Sequence, residues 1–245
     1  MRAIPETIKQ LLIINILFFV GAQFLGSLSY DILALHYFNN DKFIISQLFT
    51  HMFMHGSVAH ILFNMFGLYM FGSPLVQMWG KKKFLFFYFS AGLGAAGLQL
   101  FVYHFEIESV FSLLKLNGVS YDSYKNILLE GTYNTSILQY IDQGKLASAY
   151  SVYNTSLVGA SGAIYGVLVA FAFSFPNSEL MLIFPPIPIK AKFLVPGLIL
   201  IDLFFGFSPL SLGSIAHFAH VGGALTGFVM VWYWKKNQFN NNRWN

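Results

Sequence analysis

Four polar residues that could perform chemistry lie within otherwise apolar stretches of the sequence. His60 and Asn64 are four positions apart, a spacing that puts both on one face of a helix. Ser161 lies in a Gly-Ala-Ser-Gly tetrapeptide, and His220 precedes Val-Gly-Gly. A serine becomes a nucleophile when a neutral imidazole takes its proton, and acyl transfer also needs hydrogen-bond donors for the developing oxyanion. These residue types therefore permit hydrolysis by a serine.

The composition indicates a polytopic membrane protein. Of the 245 residues, 56% are hydrophobic and only 10% are charged, whereas an ordinary soluble domain has about 25% charged residues. Such a chain cannot cover itself with a water-soluble surface, which argues against cytosolic enzymes, coiled coils and disordered proteins. The sequence has no cysteine, which excludes disulfides, Cys-ligated zinc, iron–sulfur clusters and thiol catalysis.

Six segments predict an all-α bundle of membrane-spanning helices, because about 20 mostly apolar residues are needed to cross the hydrocarbon core. The segments are 11–30, 58–79, 84–104, 155–175, 192–207 and 214–234. The fifth segment is short and contains Pro196 and Asp202. Two other regions fit no simple span. We expect 31–56 to lie in the outer interface and 105–150 to form a long outer loop, with room for a helix near 110–130.

The basic residues predict the orientation of the spans, since cytoplasmic loops of membrane proteins are enriched in lysine and arginine. With residues 1–10 and the polar tail 236–245 in the cytoplasm, ten of the 14 basic residues face the cytoplasm. We therefore expect both termini inside and a site that opens to the extracytoplasmic side. The expected location is the inner (plasma) membrane of a bacterium, and the asparagine-rich tail is expected to be disordered.

The polar residues of spans two, four and six reach a common depth. All three spans run from outside to inside, and His60, Ser161 and His220 each lie one to two turns below the outer surface, at about 1.5 Å of rise per residue. A serine, two histidines and an asparagine at one level can form a single site that is open to water from outside.

Glycines four residues apart predict close packing between spans four and six. The pairs are Gly162 with Gly166 in span four and Gly223 with Gly227 in span six. Such small-residue faces let two membrane helices approach closely. If the two faces meet, Ser161 comes within hydrogen-bond reach of His220, and the ring of Tyr165 could pack against the imidazole of His220.

The candidate donors for an oxyanion are the Asn64 amide, the ring N–H of His60 and the backbone N–H of Ser161. A first-turn amide such as that of Ser161 has no partner within its own helix. No acidic residue lies at this depth in spans two, four or six, so we expect a dyad of Ser161 and His220. Neither a cofactor nor a metal is expected.

In combination, these motifs resemble those of the rhomboid intramembrane serine proteases. The shared motifs are H-x-x-x-N in span two, G-x-S-G in span four and A-H-x-x-G-x-x-x-G in span six, and the resemblance covers roughly 40–104 and 150–232. The resemblance implies cleavage of transmembrane substrates near the outer face. It also implies a six-span bundle in which 31–56 is a membrane-embedded first loop and span five with the loop 208–213 controls access of the substrate.

The resemblance further implies roles for individual residues. Ser161 and His220 would be the catalytic dyad, and His60 and Asn64 would belong to the oxyanion hole. Tyr165 lies where the family has an aromatic residue beside the catalytic histidine. The supporting motif glycines would be Gly159, Gly162, Gly223 and Gly227. The segment 105–150 is longer than in the core form of the family.

The remaining polar residues of the spans and first loop have other interpretations. His217 precedes the motif histidine by three positions and is the alternative histidine on that face. His51 and His55 could join His60 as metal ligands, but no H-E-x-x-H motif is present, and structural hydrogen bonding in the first loop is favoured. Asp202 is the only acid within a predicted span, and we assign it no catalytic part.

The sequence thus favours an intramembrane serine endopeptidase whose partners are transmembrane protein substrates and membrane lipid, without nucleic acid. The alternative is a catalytically inactive rhomboid-like protein that binds transmembrane clients. Such proteins typically lack the serine or the histidine, whereas this sequence has both. A small transporter is disfavoured, because its polar groups would be spread across the membrane midplane, and here they cluster at one depth.

Overall fold

A computed structural model describes residues 3–181, 186–208 and 216–241 of the chain. Helices make up most of these residues. The all-α, polytopic membrane fold expected from the sequence is confirmed. Among the described residues, three helical segments are long and apolar enough to cross a membrane, namely Glu6–Leu25, Val58–Trp79 and Lys81–Lys115. Ser161–Ser174 is a shorter apolar helix. The total of six spans stays a prediction.

The α-helices of the described residues follow one another along the chain as follows. They are α1 (Glu6–Leu25), α2 (Ser27–Leu33), α3 (Gln47–Thr50), α4 (Val58–Gly67), α5 (Ser73–Trp79), α6 (Lys81–Lys115), α7 (Tyr121–Glu130), α8 (Gln143–Asn154), α9 (Ser161–Ser174), α10 (Ala191–Phe207) and α11 (His217–Asn241). Short 3₁₀ turns cover His51–Phe53 and Thr135–Gln139. A small antiparallel hairpin pairs β1 (Glu179–Met181) with β2 (Pro188–Lys190), and the residues 182–185 between them lie outside the described chain.

The second predicted span is one continuous helical segment with a local change of pitch. α4 passes into a π-helical turn at Leu68–Gly72 and then into α5, so that 58–79 is unbroken. Pro74 lies in the first turn of α5 and has no N–H to bond the carbonyl of Met70. The missing hydrogen bond explains why the helix widens at this point.

Two helices extend beyond their predicted ends. α6 reaches Lys115 and α11 reaches Asn241. The prediction of a disordered tail after Lys236 is therefore wrong as far as Asn241, because adding a residue to an existing helix requires no new nucleation. Residues 242–245 lie outside the described chain.

The segment 105–150, expected to be a long outer loop with a helix near 110–130, contains more helix than that. Residues 107–154, here called the helical cap, contain the end of α6 together with α7 and α8. Their apolar side chains form a core of their own, made of Ile107, Val110, Leu114, Tyr124, Ile127, Leu128, Ile137, Ile141, Leu146, Ala149 and Tyr153, with Tyr37 from the first loop. The Ser120 hydroxyl and the Asp142 carboxylate accept backbone N–H bonds at the starts of α7 and α8, which stabilises both helix ends.

α9 lies at the centre of the bundle, packed between α6 and α11. Most of its residues from Gly162 to Phe171 are buried, so the helix is apolar on every side, as a fully enclosed helix must be. Ser161 lies at the very start of the helix, and Ser174 is its last residue. Ser161 is therefore at one end of the central helix of the bundle.

The first loop, residues 34–57, connects α2 to α4 and is fixed by buried polar groups. The Gln47 side chain is fully buried, and its Nε2 donates to the carbonyls of Asp31 at 3.0 Å and Lys42 at 2.8 Å. Leu35 and Leu157 pair through two backbone hydrogen bonds of 2.9 and 2.8 Å. The loop therefore holds the chain immediately before α9.

Candidate active site

Ser161 is the first residue of α9, and the preceding turn is fixed by glycine. Gly159 has a φ of +121°, a conformation that L side chains rarely adopt. Its N–H donates to the carbonyl of His51 at 2.9 Å, and a Cβ at this position would lie 2.7 Å from Nε2 of His60. Glycine therefore allows the chain to pass close to His60 and turn into α9.

Ser161 and His220 form a hydrogen-bonded pair across α9 and α11. The Nε2 atom of His220 lies 2.9 Å from Oγ of Ser161, which is the distance of a hydroxyl donating to a neutral imidazole. The side chain of His220 is 14% exposed, so it remains within reach of water. A nitrogen acceptor at this distance can take the hydroxyl proton as a general base.

The ring of Tyr165 stacks on the imidazole of His220. The ring centroids lie 4.2 Å apart, and the planes are 7° from parallel. Tyr165 comes one helical turn after Ser161, so the serine and the stacking ring share a face of α9. The stacked ring restricts rotation of the imidazole and keeps its Nε2 directed at the serine.

Glycines bring the backbones of α9 and α11 into contact beside this pair. A Cβ on Gly223 would overlap the backbone carbonyl of Gly162, and a Cβ on Gly227 would lie 2.7 Å from the Cα of Gly166. The structure thus brings together the two glycine faces that the sequence places on spans four and six. This close approach sets the distance between Ser161 and His220.

His60 and Asn64 of α4 line a cavity of about 590 Å³ that also contains Ser161 and His220. The Nδ2 atom of Asn64 is buried and has no hydrogen-bond partner among the described residues. The backbone N–H of Gly56 donates to Nδ1 of His60 at 3.4 Å, so the ring proton of a neutral His60 is on Nε2. Within the described part of the chain, both side chains therefore present a donor that has no partner, as an oxyanion requires.

Asp202 of α10 lies behind His220, and sequence reasoning missed its part in the site. Its Oδ1 atom is 3.1 Å from Nδ1 of His220 and 2.7 Å from Nδ1 of His217. The hydroxyl of Tyr165 also interacts with this carboxylate. The expectation that no acid is present at the site is wrong, because it considered spans two, four and six, whereas the acid comes from span five. The available signal was that Asp202 is the only acid in a predicted span.

His51 and His55 lie in the first loop and bond to backbone carbonyls. Nδ1 of His51 is 2.7 Å from the carbonyl of Gln47, and Nδ1 of His55 is 3.2 Å from that of Phe53. The carbonyl of His51 in turn accepts the N–H of Gly159. The backbone of His51 therefore supports the turn before Ser161, whereas the ring of His55 bonds within the first loop. The loop 208–213, which the resemblance assigned to substrate access, lies outside the described residues after position 208.

Comparison with known proteins identifies the family. The family profile "Rhomboid domain" matches residues 43–112 and 132–237, so only a short stretch of the helical cap falls between the matched parts. The chain is 27% identical over 184 residues to "Rhomboid protein 1, mitochondrial" of Saccharomyces cerevisiae, which covers 75% of this chain and 40% of that protein. It is 29% identical over 195 residues to "Presenilin-associated rhomboid-like protein, mitochondrial" of Homo sapiens, which covers 78% of this chain and 38% of that protein.

These relatives are longer than the present chain, which spans about two fifths of their length. A third relative, "Presenilin-associated rhomboid-like protein A, mitochondrial" of Danio rerio, is 29% identical over 184 residues, covering 74% of this chain and 34% of that protein. All three are named as mitochondrial proteins. The expected location in a bacterial plasma membrane is therefore wrong, since these relatives point to mitochondria.

Proposed function

The chain belongs to the rhomboid family, and we propose that it is an intramembrane serine endopeptidase. The observation that carries the proposal is the 2.9 Å hydrogen bond between Oγ of Ser161 and Nε2 of His220. An isolated serine in a membrane helix commonly bonds to a carbonyl of its own helix. Here the hydroxyl is at a helix start and bonds to an imidazole of another helix, beside a cavity.

Acylation begins when Ser161 attacks the scissile carbonyl carbon of the substrate. The hydroxyl proton moves to Nε2 of His220 as the bond between Oγ and carbon forms. His220 then passes that proton to the leaving amine as the carbon–nitrogen bond breaks. The products of this half-reaction are a free amine and an ester between Ser161 and the other part of the substrate.

Deacylation reverses the roles with water as the nucleophile. His220 takes a proton from water while the water oxygen attacks the ester carbon, and it returns the proton to Oγ as the ester bond breaks. A carboxylic acid leaves, and Ser161 is regenerated. In both half-reactions the negative oxygen that develops on the carbonyl is stabilised by donors, for which Asn64, His60 and the first-turn N–H of Ser161 are available.

The proposed substrates are membrane proteins that the enzyme cuts in or near a transmembrane segment. Ser161 begins α9, a short apolar helix at the centre of the bundle, and His220 lies in the first turn of α11, so the pair is part of the helical bundle itself. A peptide bond within a helix has its carbonyl bonded to an N–H four residues later. The substrate helix must therefore unwind locally before Ser161 can attack.

The test is cleavage of a transmembrane substrate in liposomes by wild type and by Ser161→Ala. We expect the variant to lose cleavage. We also expect it to lose labelling by a fluorophosphonate, a reagent that forms a bond from its phosphorus atom to an active serine and releases fluoride. Undiminished cleavage by Ser161→Ala would end the proposal. A wild-type protein that binds the substrate but neither cleaves it nor takes the label would identify the chain as an inactive member that binds transmembrane clients.

A further inference from the structure

A buried acid in α10 needs a physical explanation that the dyad alone does not provide. Asp202 is 5% exposed and lies in a helix of predominantly apolar residues. Burying a carboxylate is costly unless hydrogen-bond donors compensate for the lost hydration. Its Oδ1 atom has two such donors, Nδ1 of His217 at 2.7 Å and Nδ1 of His220 at 3.1 Å.

The contacts of Asp202 determine which nitrogen of each ring carries the proton. An ionised carboxylate can only accept hydrogen bonds. Both Nδ1 atoms must therefore be N–H donors, since an unprotonated nitrogen would face the carboxylate as a second acceptor. The surroundings of the other ring nitrogen of His217 agree with this assignment. Its Nε2 atom is buried without a hydrogen-bond partner among the described residues, so a proton on Nε2 would be left unpaired.

The same reasoning fixes the state of His220. With the proton on Nδ1, a neutral His220 has its lone pair on Nε2, and this is the atom that lies 2.9 Å from the Ser161 hydroxyl. The opposite tautomer would put an N–H against the serine and could not act as a base. We propose that Asp202 is a positioning residue, which holds His220 in the one tautomer and orientation that can take the proton of Ser161.

The inference rests on the proposed function and adds a part to it. Asp202 bonds to the imidazole of His220 and not to the hydroxyl of Ser161, so it acts through His220. When His220 gains the serine proton, both of its nitrogens carry hydrogen, and the ring becomes a cation that faces the carboxylate. A positive charge that forms opposite a fixed, buried carboxylate is stabilised more strongly than the same charge in water. Asp202 is therefore expected to affect the chemical step rather than binding of the substrate.

The hydrogen bonds of Asp202 join two different helices, so this residue also links α10 to α11. His217 and His220 are three residues apart on one face of α11, whereas Asp202 comes from α10. The hydrogen bonds to the two rings are a polar link between these helices. A displacement of α10 away from α11 would withdraw the carboxylate and release the ring of His220.

The experiment compares wild type with Asp202→Asn, which preserves the size of the side chain and removes its charge. The full chain is reconstituted in liposomes, and kcat and KM are measured on a transmembrane substrate, together with the rate of fluorophosphonate labelling of Ser161. We expect kcat and the labelling rate to fall together by about 100-fold, which is the lower range of what a positioned acid–base group contributes. KM should remain within twofold of wild type. The labelling rate reports on the dyad without a transmembrane substrate.

Ile199→Ala is the matched control for packing, since Ile199 lies on the same helix, packs against the core and has no polar atom. We expect its labelling rate to stay within threefold of wild type. If Asp202→Asn is not folded, as judged by its Tm, the same measurements are made on Asp202→Glu, whose carboxylate is displaced by one methylene. We expect its kcat and labelling rate to fall together and by more than those of Ile199→Ala, and a labelling rate equal to that of Ile199→Ala would contradict the positioning role.

Two results would overturn the inference. A folded Asp202→Asn protein whose labelling rate is within twofold of wild type would exclude a positioning role. A rise in KM with an unchanged labelling rate would assign Asp202 to substrate access instead. Either result leaves the proposed function intact as long as cleavage depends on Ser161, whereas full cleavage by Ser161→Ala would end both.

Discussion

The Oγ atom of Ser161 and the Nε2 atom of His220 lie 2.9 Å apart, although 59 residues separate them in the chain. Neither residue is on a long flexible loop, since Ser161 begins α9 and His220 lies in the first turn of α11. Their distance is set by the packing of two helices through glycine faces. Changes that alter this packing should therefore affect activity even where they touch neither residue.

Replacement of Asn64 by alanine should remove a donor from the site and leave the fold intact. The Nδ2 atom of Asn64 has no partner among the described residues, so the folded state loses no hydrogen bond within the protein. Loss of one oxyanion donor typically lowers kcat by about 10²–10³-fold. We expect that fall in kcat on a transmembrane substrate, with little change in KM or Tm.

Asn15→Ala is the control, because Asn15 is also a buried amide in a membrane helix, but its Nδ2 donates to the carbonyl of Leu11 at 2.7 Å. This variant should retain its kcat. An Asn64→Ala protein with the kcat of wild type would remove Asn64 from the oxyanion hole.

Substitution of Gly223 by alanine should separate α9 from α11. The added Cβ would overlap the carbonyl of Gly162, and backbone cannot yield as a flexible side chain can. Overpacking of this kind costs about 1–3 kcal/mol, which lowers Tm by about 2–4 °C per kcal/mol in a chain of this size. Labelling of Ser161 should fall as well, because the pair moves apart.

Gly97→Ala tests whether the loss is specific to the helix contact. Gly97 lies within α6, and a Cβ there would meet nothing within 4 Å among the described atoms. Alanine is favoured over glycine in a helix by about 1 kcal/mol, so Tm should stay the same or rise. Equal effects of the two substitutions would contradict the packing explanation.

The aromatic ring of Tyr165 should matter more than its hydroxyl. Tyr165→Phe retains the ring that stacks on His220 at 4.2 Å, and we expect its kcat to stay within about fivefold of wild type, since a single hydrogen bond contributes about 1 kcal/mol. Tyr165→Leu loses the flat surface and lets the imidazole rotate, so labelling should slow by about 10-fold or more. A leucine variant that labels faster than the phenylalanine variant would refute this role.

The helical cap should lose stability at alkaline pH. Burial, with a further contribution from Glu108, raises the pKa of Tyr124 above its ordinary value of 10.0. In the unfolded chain the phenol of Tyr124 ionises near that value, whereas in the folded cap the phenol stays neutral to higher pH. The stabilisation is therefore complete below about pH 10 and is lost as the pH rises through the folded pKa. Loss of helical circular dichroism above pH 10 measures this effect.

Tyr124→Phe provides the comparison, because it cannot ionise. It also lacks the hydrogen bond from the Tyr124 hydroxyl to the carbonyl of Ile107 at 3.0 Å, so it should be less stable near neutral pH by about 1 kcal/mol. Its further loss of helix above pH 10 should nevertheless be smaller than in wild type. An identical alkaline transition in both proteins would show that another group controls it.

The sequence predicted well those features that follow from residue spacing. Glycines four apart on two spans indicate a close helix pair, and the structure has Gly162 against Gly223. The stacking of Tyr165 on His220 followed from the same reasoning, because one turn of helix fixes which residues share a face. Such features depend on local geometry and on only two helices, so that few alternatives exist.

The spacing of residues could not place Asp202 in the site, because its position depends on how α10 packs against α11. No periodic pattern relates residues that lie on two different helices. The helical cap was predicted only in part, as one helix near 110–130, for a different reason. Its charged and polar residues resemble those of a loop, whereas the caps at Ser120 and Asp142 and the apolar residues between them are the signals that favour helices.

The glycine contact between α9 and α11 also limits the routes by which a substrate can reach Ser161. An α-helix with its side chains is about 10 Å wide, whereas the backbones of these two helices touch at Gly162 and Gly223 and again at Gly166 and Gly227. No transmembrane segment can pass between them while this seam is closed. A transmembrane substrate of the proposed kind would therefore have to reach Ser161 from another side of the bundle.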